Sequence, residues 1–343
     1  AGLAGAAAAV AAGGPELRGT GGGGARGVRA AAVMWAVLDE LHAEHCAVAE
    51  EEFDGETRRA VAVPEREIYY RLKNSAGAAS LGISDPSSVT RAVARAEGVL
   101  GVPREELGVI SSGGKGIAAG CLRVWTGGAW HDCRIQGRFA VPGDPREVAS
   151  LCFQTSARFI LVVEKETVFT RLLEEELDAM VSVVLVSGRG FPDVSTRVFM
   201  QRLASAFPAL PVVGLVDWNP HGVAILSLFK HGFVKKMRST IGLSAAAAVP
   251  RLVWAGIHAE DIPDGAQLQE FTARDYAMCK MLLTASPVSS PAAGTSSWAQ
   301  EVRKMATAGA KADIEVLHSY GSRGGLAQLS QLVLLKLLRR AWF

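Results

Sequence analysis

The chain has 343 residues, enough for two domains. Its 49% apolar and 20% charged residues allow a buried core and exclude collagen, coiled coil and wholesale disorder. The 36 Lys+Arg against 34 Asp+Glu leave a formal net charge of +2, which excludes a polybasic tail but not a locally basic groove.

No long run of strongly apolar residues is present, so no membrane-spanning helix is expected. The Ala-rich start lacks the basic segment of a signal peptide, and the first residue is Ala rather than Met, as in a piece of a longer product. Residues 1–27 are Gly/Ala-rich and are expected to be disordered. From Val28 to Glu52 the pattern is helical, with Val33, Val37, Leu38 and Leu41 on one stripe. His42, His45 and Cys46 fall on neighbouring faces there, but no second ligand cluster supports zinc. The five cysteines include no C-x-x-C and read as reduced thiols of an intracellular protein. A helix opens at Pro64 and runs through Tyr69-Tyr70. Another follows the cap at Ser84-Asp85-Pro86, with Val89, Val93, Ala96 and Leu100 on one face and Gly101 ending it. A strand-like stretch from Cys121 to Phe139 is broken by Gly127-Gly128. Together these elements predict an N-terminal helix-turn-helix with a wing, over 28–145.

From residue 146 to 343 the pattern changes. Phe159–Val163, Val183–Val186 and Val212–Val216 are short, continuous apolar runs, as buried parallel strands are. Amphipathic helices are expected between them. Thr167 to Met180 should point Phe169, Leu172, Leu173 and Met180 inward, and Asp193 to Phe207 should bring Val198, Leu203 and Phe207 together. The alternation predicts a Rossmann-like open α/β sheet, so the whole chain combines α+β and α/β parts. Residues 287–297, rich in Ser, Pro and Ala, read as a flexible surface insertion. Leu326 to Phe343 reads as a helix with an apolar stripe through Leu329, Leu332, Val333 and Leu337.

The three strands run into Glu164-Lys165-Glu166, Ser187-Gly188-Arg189-Gly190 and Asp217-Trp218-Asn219. Open parallel sheets bind ligands at the carboxyl ends of their strands, so Glu164, Arg189, Asp217 and Asn219 should converge. Few, hard oxygen ligands with room for water and phosphate point to Mg²⁺. The absence of G-x-x-x-x-G-K-[ST] and of a complete G-x-G-x-x-G argues against ATPase and dehydrogenase chemistry. Tyr69-Tyr70 forms a second pole, with Arg66 one helical turn before Tyr70. By residue type alone the pair reads first as a core aromatic pair beside a surface arginine, since buried aromatics are common. A tyrosine nucleophile, whose pKa lies near 10, would need a cation or base to become phenolate.

Arg66-Glu67-Ile68-Tyr69-Tyr70, Gly114-Lys115-Gly116, Val163-Glu164-Lys165-Glu166, Ser187-Gly188-Arg189-Gly190-Phe191-Pro192-Asp193 with Thr196-Arg197, and Val216-Asp217-Trp218-Asn219-Pro220-His221-Gly222 occur in this order. Jointly they resemble the motifs of the meiotic double-strand-break transesterases and the A subunit of topoisomerase VI. Lys311 to Tyr320 echoes that family's last helix. The resemblance implies a winged-helix domain carrying the nucleophile and a toprim domain carrying Mg²⁺. It implies Tyr70 as nucleophile, Arg66 at the scissile phosphate or phenolate, and Lys115 as a DNA-backbone contact. Glu164 and Asp217 match the metal acids, and Asn219 stands where many members carry a second aspartate. Arg189 and Arg197 either face phosphates or brace the sheet edge. The Asp-Trp-Asn variant looks closer to plant-type meiotic paralogues.

The implied activity is DNA double-strand-break formation through a 5′-phosphotyrosyl link, initiating meiotic recombination in the nucleus. Implied partners are double-stranded DNA, a second protomer or paralogue across a dimer, meiotic accessory proteins and a topoisomerase VI B-like subunit; a membrane is not among them. The alternative is the A subunit of a type IIB topoisomerase working with an ATPase B subunit. Parts of the same pattern would also suit a catalytically silent DNA-binding scaffold, or a toprim nuclease or primase without a tyrosine.

Overall fold

The computed structural model describes residues 32–41, 63–75, 83, 85–101, 104, 107–110, 114–232, 247–289, 296–318 and 329–342. The expected disordered segment 1–27, most of the stretch beyond Leu41 to Glu52 and the His42/His45/Cys46 group lie outside the described residues. The described residues fall into two compact units. One holds those up to Ile110 together with 143–146, and the other holds 114–142 and those from Glu147 onward.

The first unit contains α1 (32–41), β1 (Val63–Pro64), α2 (Glu65–Asn74), α3 (Ser87–Leu100) and β2 (Val109–Ile110). Apolar residues three and four apart put one stripe of each helix inward. Val33, Val37, Leu38 and Leu41, then Ile68, Tyr69 and Leu72, then Val89, Val93 and Ala96 meet in a single core with Leu107 and Val109. Each buried Val, Leu or Ile among them stabilises the fold by roughly 1.5–3 kcal/mol. β1 and β2 pair in parallel, Val63 opposite Val109. Polar ties then fix α2 against α3. Arg104 reaches Glu65 at 2.7 Å and Glu97 at 2.9 Å, and Thr90 Oγ1 donates to Glu65 at 2.8 Å.

The second unit contains β3 (Ile117–Gly120), β4 (Leu122–Trp125), β5 (Trp130–Asp132) and β6 (Phe139–Ala140). After α4 (Pro145–Ser150) in the chain come β7 (Cys152–Thr155), β8 (Phe159–Val163), α5 (Glu166–Glu174), α6 (Leu177–Met180) and β9 (Val183–Ser187). Then follow α7 (Val194–Ala206), β10 (Val212–Leu215), α8 (Pro220–His231) and β11 (Val253–Gly256). The last elements are β12 (Gln269–Glu270), α9 (Ala273–Thr284), α10 (Ser296–Ala308), β13 (Ala310–Lys311) and α11 (Leu329–Arg339). The main sheet has six strands in the order β11-β10-β8-β9-β3-β6. The first four are mutually parallel, and β3 and β6 extend the sheet antiparallel. All residues of β8, β9 and β10 are buried, as continuous apolar strands in a covered parallel sheet must be. Val163 lies opposite both Ser187 and Leu215, so the three strands end level with one another.

Four expectations change. The hairpin read as a wing, β4 with β5 across Gly127-Gly128, belongs to the second unit. There β4 also pairs with β7, and β3 pairs with β9. The compact units therefore divide before Gly114 rather than after residue 145, because the four buried residues of β3 complete the sheet. The single helix expected over Thr167–Met180 breaks at Glu176, whose φ is 56°. The break turns Leu177 inward and leaves Met180 43% exposed. Residues 287–297 are not surface throughout, since Val288 and the adjoining Trp298 are both fully buried; residues 290–295 lie outside the described part. Finally, β11 and the antiparallel strands were not anticipated in the sheet. The C-terminal helix buries Leu329, Val333 and Leu337 but ends at Arg339 rather than Phe343, and Leu332 is only half-buried. Ser330 N donates to Glu175 at 2.7 Å there. Cys121, Cys133, Cys152 and Cys279 are free thiols. Among the described residues no helix is long and apolar enough to cross a membrane.

Candidate active site

The level ends of β8, β9 and β10 bring the polar residues that follow them to one edge. Glu164 and Asp217 meet there: Asp217 N donates to Glu164 Oε2 at 3.1 Å. Asp217 Oδ1 accepts from Ile314 N at 2.9 Å, and Asp217 is only 2% exposed. Its tight seat depends on Gly222, where a Cβ would stand 2.8 Å from the Asp217 carbonyl oxygen. Only glycine lets the first turn of α8 lie directly against the strand end.

Two acids crowded at an enclosed edge resist ionisation together. Burial, then the Asp217 charge, push the Glu164 carboxyl up to about 7. Burial also raises Asp217 to about 6, against the pull of the Ile314 N–H and Lys165. The Lys165 ammonium lies 2.9 Å from Asp217, 2.9 Å from Glu315 and 3.4 Å from Asp313. Burial disfavours its charge, but these carboxylates outweigh that and hold it protonated.

Asn219 reaches the same edge, where its Oδ1 accepts from Gly222 N at 2.7 Å and caps α8. The second lone pair of that oxygen is what Asn219 can offer a cation. Trp218, between the two, points into the core and donates its Nε1 to Glu301 at 3.0 Å. Among the described residues no three His, Cys, Asp or Glu side chains converge as a closed cage. The open pair of hard, mutually repelling oxygens fits Mg²⁺, which keeps several of its waters, and does not fit zinc.

The loop after β9 wraps the same edge. Gly190 N donates to the Glu164 carbonyl at 2.9 Å, and Ser187 Oγ to the same oxygen at 3.3 Å. Arg189 is exposed on this loop and pairs with Glu166 at 3.0 Å. Lys115 is also exposed. Its backbone N donates to Asp193 Oδ2 at 2.9 Å, while Asp193 Oδ1 accepts from Thr196 N at 2.7 Å and caps α7. A Cβ at Gly116 would fall 2.5 Å from Thr196 Oγ1, so glycine is what lets this segment lie on α7. Arg197 is 6% exposed and donates from Nη1 to the carbonyl of Gly232, which ends α8, at 3.1 Å.

In the first unit, α2 separates the two tyrosines. Tyr69 is 6% exposed inside the core, whereas Tyr70 is 56% exposed. Their rings meet edge to face with centroids 5.2 Å apart. Arg66 is exposed as well, and four residues along a helix it shares the outward face with Tyr70. The core-aromatic reading therefore applies to Tyr69 alone.

Sequence reasoning missed Asp313 and Glu315 beside the acids. They arrive because Trp218 and Ala312 form an antiparallel bridge, with N–H···O distances of 3.0 and 3.1 Å. The only advance signal was the late polar stretch beginning at Lys311. It missed Asp275 too, buried in the first turn of α9, which takes 2.9 and 3.5 Å contacts from Lys311 and His221.

The family model for the Toprim domain of Spo11 and the topoisomerase 6 A-type subunits matches residues 159–326. The meiotic recombination protein SPO11-2 of Arabidopsis thaliana is 31% identical over 265 residues, covering 76% of this chain and 65% of the relative. SPO11-2 of Oryza sativa subsp. japonica is 31% identical, covering 75% and 64%. The A3 subunit of DNA topoisomerase 6 from Oryza sativa subsp. indica is 30% identical, covering 77% and 57%. The chain thus spans just under two thirds of the length of the SPO11-2 relatives it matches. The edge that gathers Glu164, Asp217 and Asn219 lies within the matched residues, which are similar to the Toprim domain of Spo11 and the topoisomerase 6 A-type subunits.

Proposed function

We propose that this protein breaks double-stranded DNA by transesterification and so initiates meiotic recombination. The observation that carries the reading is the division of labour between an exposed Tyr70 on α2 and two mutually repelling acids at the Toprim edge. Tyr70 attacks a backbone phosphorus, the 3′ oxygen leaves, and a 5′-phosphotyrosyl ester replaces the phosphodiester. One ester is exchanged for another, so no nucleotide is consumed. Arg66 faces the phosphate or the developing phenolate from the same side of α2. Glu164 and Asp217, with Asn219 at their flank, would hold Mg²⁺, which would supply positive charge against the phosphate. Lys115 and Arg189, both exposed, contact the DNA backbone, so binding depends on salt more than on base sequence. Arg197 serves them indirectly by bracing α7.

The unit carrying Tyr70, three helices and the short β1–β2 pair without the hairpin expected as its wing, acts as a helical DNA-binding domain. Each chain brings one such tyrosine, so a double-strand break takes two protomers, or this chain with a paralogue, in a two-fold assembly. The tyrosine of one then works with the acids of the other. The site of action is the nucleus, with meiotic accessory proteins and a topoisomerase VI B-like subunit. Similarity to the A3 subunit of a rice topoisomerase 6 favours a second reading, the A-type component of a type IIB topoisomerase. ATP-dependent relaxation of supercoiled DNA with an added B subunit would select it.

The test is incubation of the protein with labelled duplex and Mg²⁺ or Mn²⁺, followed by denaturing electrophoresis. The reading predicts label on the protein, lost in Tyr70→Phe and kept in Tyr69→Phe. The reverse pattern would move the nucleophile to Tyr69. Free DNA ends without label on protein would favour a toprim nuclease, and no cleavage at all a silent scaffold.

A further inference from the structure

We propose that Lys165 is a tethered cation resident at the acidic edge, which competes with the divalent ion for Asp217 and retires onto Asp313 and Glu315 when that ion binds. The inference rests on the reading of Glu164 and Asp217 as metal ligands and extends it. Asp217 has one oxygen, Oδ1, committed to Ile314 N. The remaining oxygen, Oδ2, is the one that Lys165 Nζ contacts at 2.9 Å. A cation approaching the open oxygen of Asp217 therefore meets an ammonium already there.

Lys165 does not depend on Asp217 alone. Glu315 Oε2 lies 2.9 Å and Asp313 Oδ1 3.4 Å from the same Nζ, so one ammonium faces three carboxylates with its three N–H donors. The carboxylates differ in setting. The Asp217 side chain is 3% exposed, whereas those of Asp313 and Glu315 are 40% and 46% exposed. An open cavity of ≈640 Å³ borders Asp313 and Glu315, lined also by Gly265, Gln267 and Gln269. The ammonium can thus give up Asp217 and keep two partners on the solvent side, without crossing water unpaired. Asp313 is held in place for this by Gln269 Nε2 at 2.7 Å. In the ion-free protein the same ammonium offsets the crowding of Glu164 and Asp217, so Lys165 is a positioning residue for the metal edge and not a group that touches DNA.

The experiment measures Mn²⁺ affinity of the full chain by electron paramagnetic resonance, with thermal unfolding alongside. Lys165→Met removes the competitor and should tighten Mn²⁺ by about tenfold at low ionic strength, and should lower Tm without metal but enlarge the rise in Tm on adding Mn²⁺. Asp313→Asn with Glu315→Gln removes the retreat and should weaken Mn²⁺ by about tenfold in the Lys165 protein, and by distinctly less in the Lys165→Met background. Equal or weaker Mn²⁺ binding in folded Lys165→Met, or the same loss from the double change in both backgrounds, would overturn the inference. Should Lys165→Met fail to fold, the double change alone decides, since unaltered affinity there contradicts the proposal. If neither wild type nor Lys165→Met binds Mn²⁺, the metal reading itself fails. Binding by wild type with no gain in Lys165→Met sinks only the role of Lys165.

Discussion

Helix α2 and the carboxyl edge of the parallel strands present their polar groups on different terms. On α2 the inward residues Ile68, Tyr69 and Leu72 supply the packing, and Tyr70 stands outside it, 56% exposed. At the strand edge the polar groups themselves are enclosed. Asp217 is 2% exposed and the Glu164 carboxyl is pushed up to about 7. An exposed side chain on a well-packed helix can be removed without cost to the fold. A buried pair of like charges costs the fold, and here the Lys165 ammonium 2.9 Å from Asp217 offsets part of that cost. Nearby Asp275 supplies the contrast within the same unit. Burial alone would raise it, but hydrogen bonds from Thr272 and Lys311 outweigh that and hold it down at about 2. One carboxylate beside α8 is held ionised by its partners, and the two at the edge are raised by burial, as the proposed ion site requires.

The largest effect that would sharpen this contrast is at the tyrosines. Tyr70→Phe should cut covalent-adduct formation by more than about 10³-fold with Tm unchanged. Tyr69→Ala should cost about 3 kcal/mol of stability by emptying a core site, read from denaturant unfolding. Equal stability losses at both positions would erase the distinction between them.

At the strand edge, Glu164→Ala and Asp217→Ala should each abolish cleavage without unfolding the protein. The milder Glu164→Gln should raise Tm by a few degrees in the absence of metal, because it removes one of two repelling charges. A fall in Tm matching the loss of cleavage would make these acids structural and break the comparison.

The Asp275 carboxyl titrates lower in the folded protein, about 2, than its ordinary value of 3.8. Its contribution is therefore fully present above about pH 4 and is lost as pH falls through about 2. Asp275→Asn should lower Tm at pH 6 and flatten the decline of Tm between pH 4 and 2. An unaltered acid limb would show that Asp275 does not carry it. The smallest effect is expected at Asn219. Asn219→Asp adds a charge and should strengthen Mn²⁺ binding several-fold, and a titration showing no change would remove Asn219 from the ligand set.

Much of the second unit was legible because buried parallel strands are written as short β-branched runs. Phe159–Val163 and Val183–Val186 needed no partner information to be read. Their order alone placed Glu164, Arg189, Asp217 and Asn219 at one edge. Residues that reach the edge from afar were not legible. Glu315 meets Lys165 across 150 positions, and Ile314 meets Asp217 across 97. Local periodicity carries no trace of a bridge such as Trp218 to Ala312. The wing was misassigned for a related reason, since a hairpin pattern does not say which sheet it joins. Arg197 offered a signal that went unused. It lies three residues after Val194 and three before Met200, on the buried stripe of α7, so its burial follows from helical spacing. The choice between Tyr69 and Tyr70 was open by residue type, and only the packing of α2 gives each a distinct environment.

The most direct measurement of the central claim is to digest the protein–DNA adduct and locate the linked residue by mass spectrometry. The account predicts a 5′-phosphorylated nucleotide on the peptide containing Tyr70, formed only with a divalent cation and absent from Glu164→Ala and Asp217→Ala. Nucleotide on any other residue, or an adduct that persists without either acid, would contradict it.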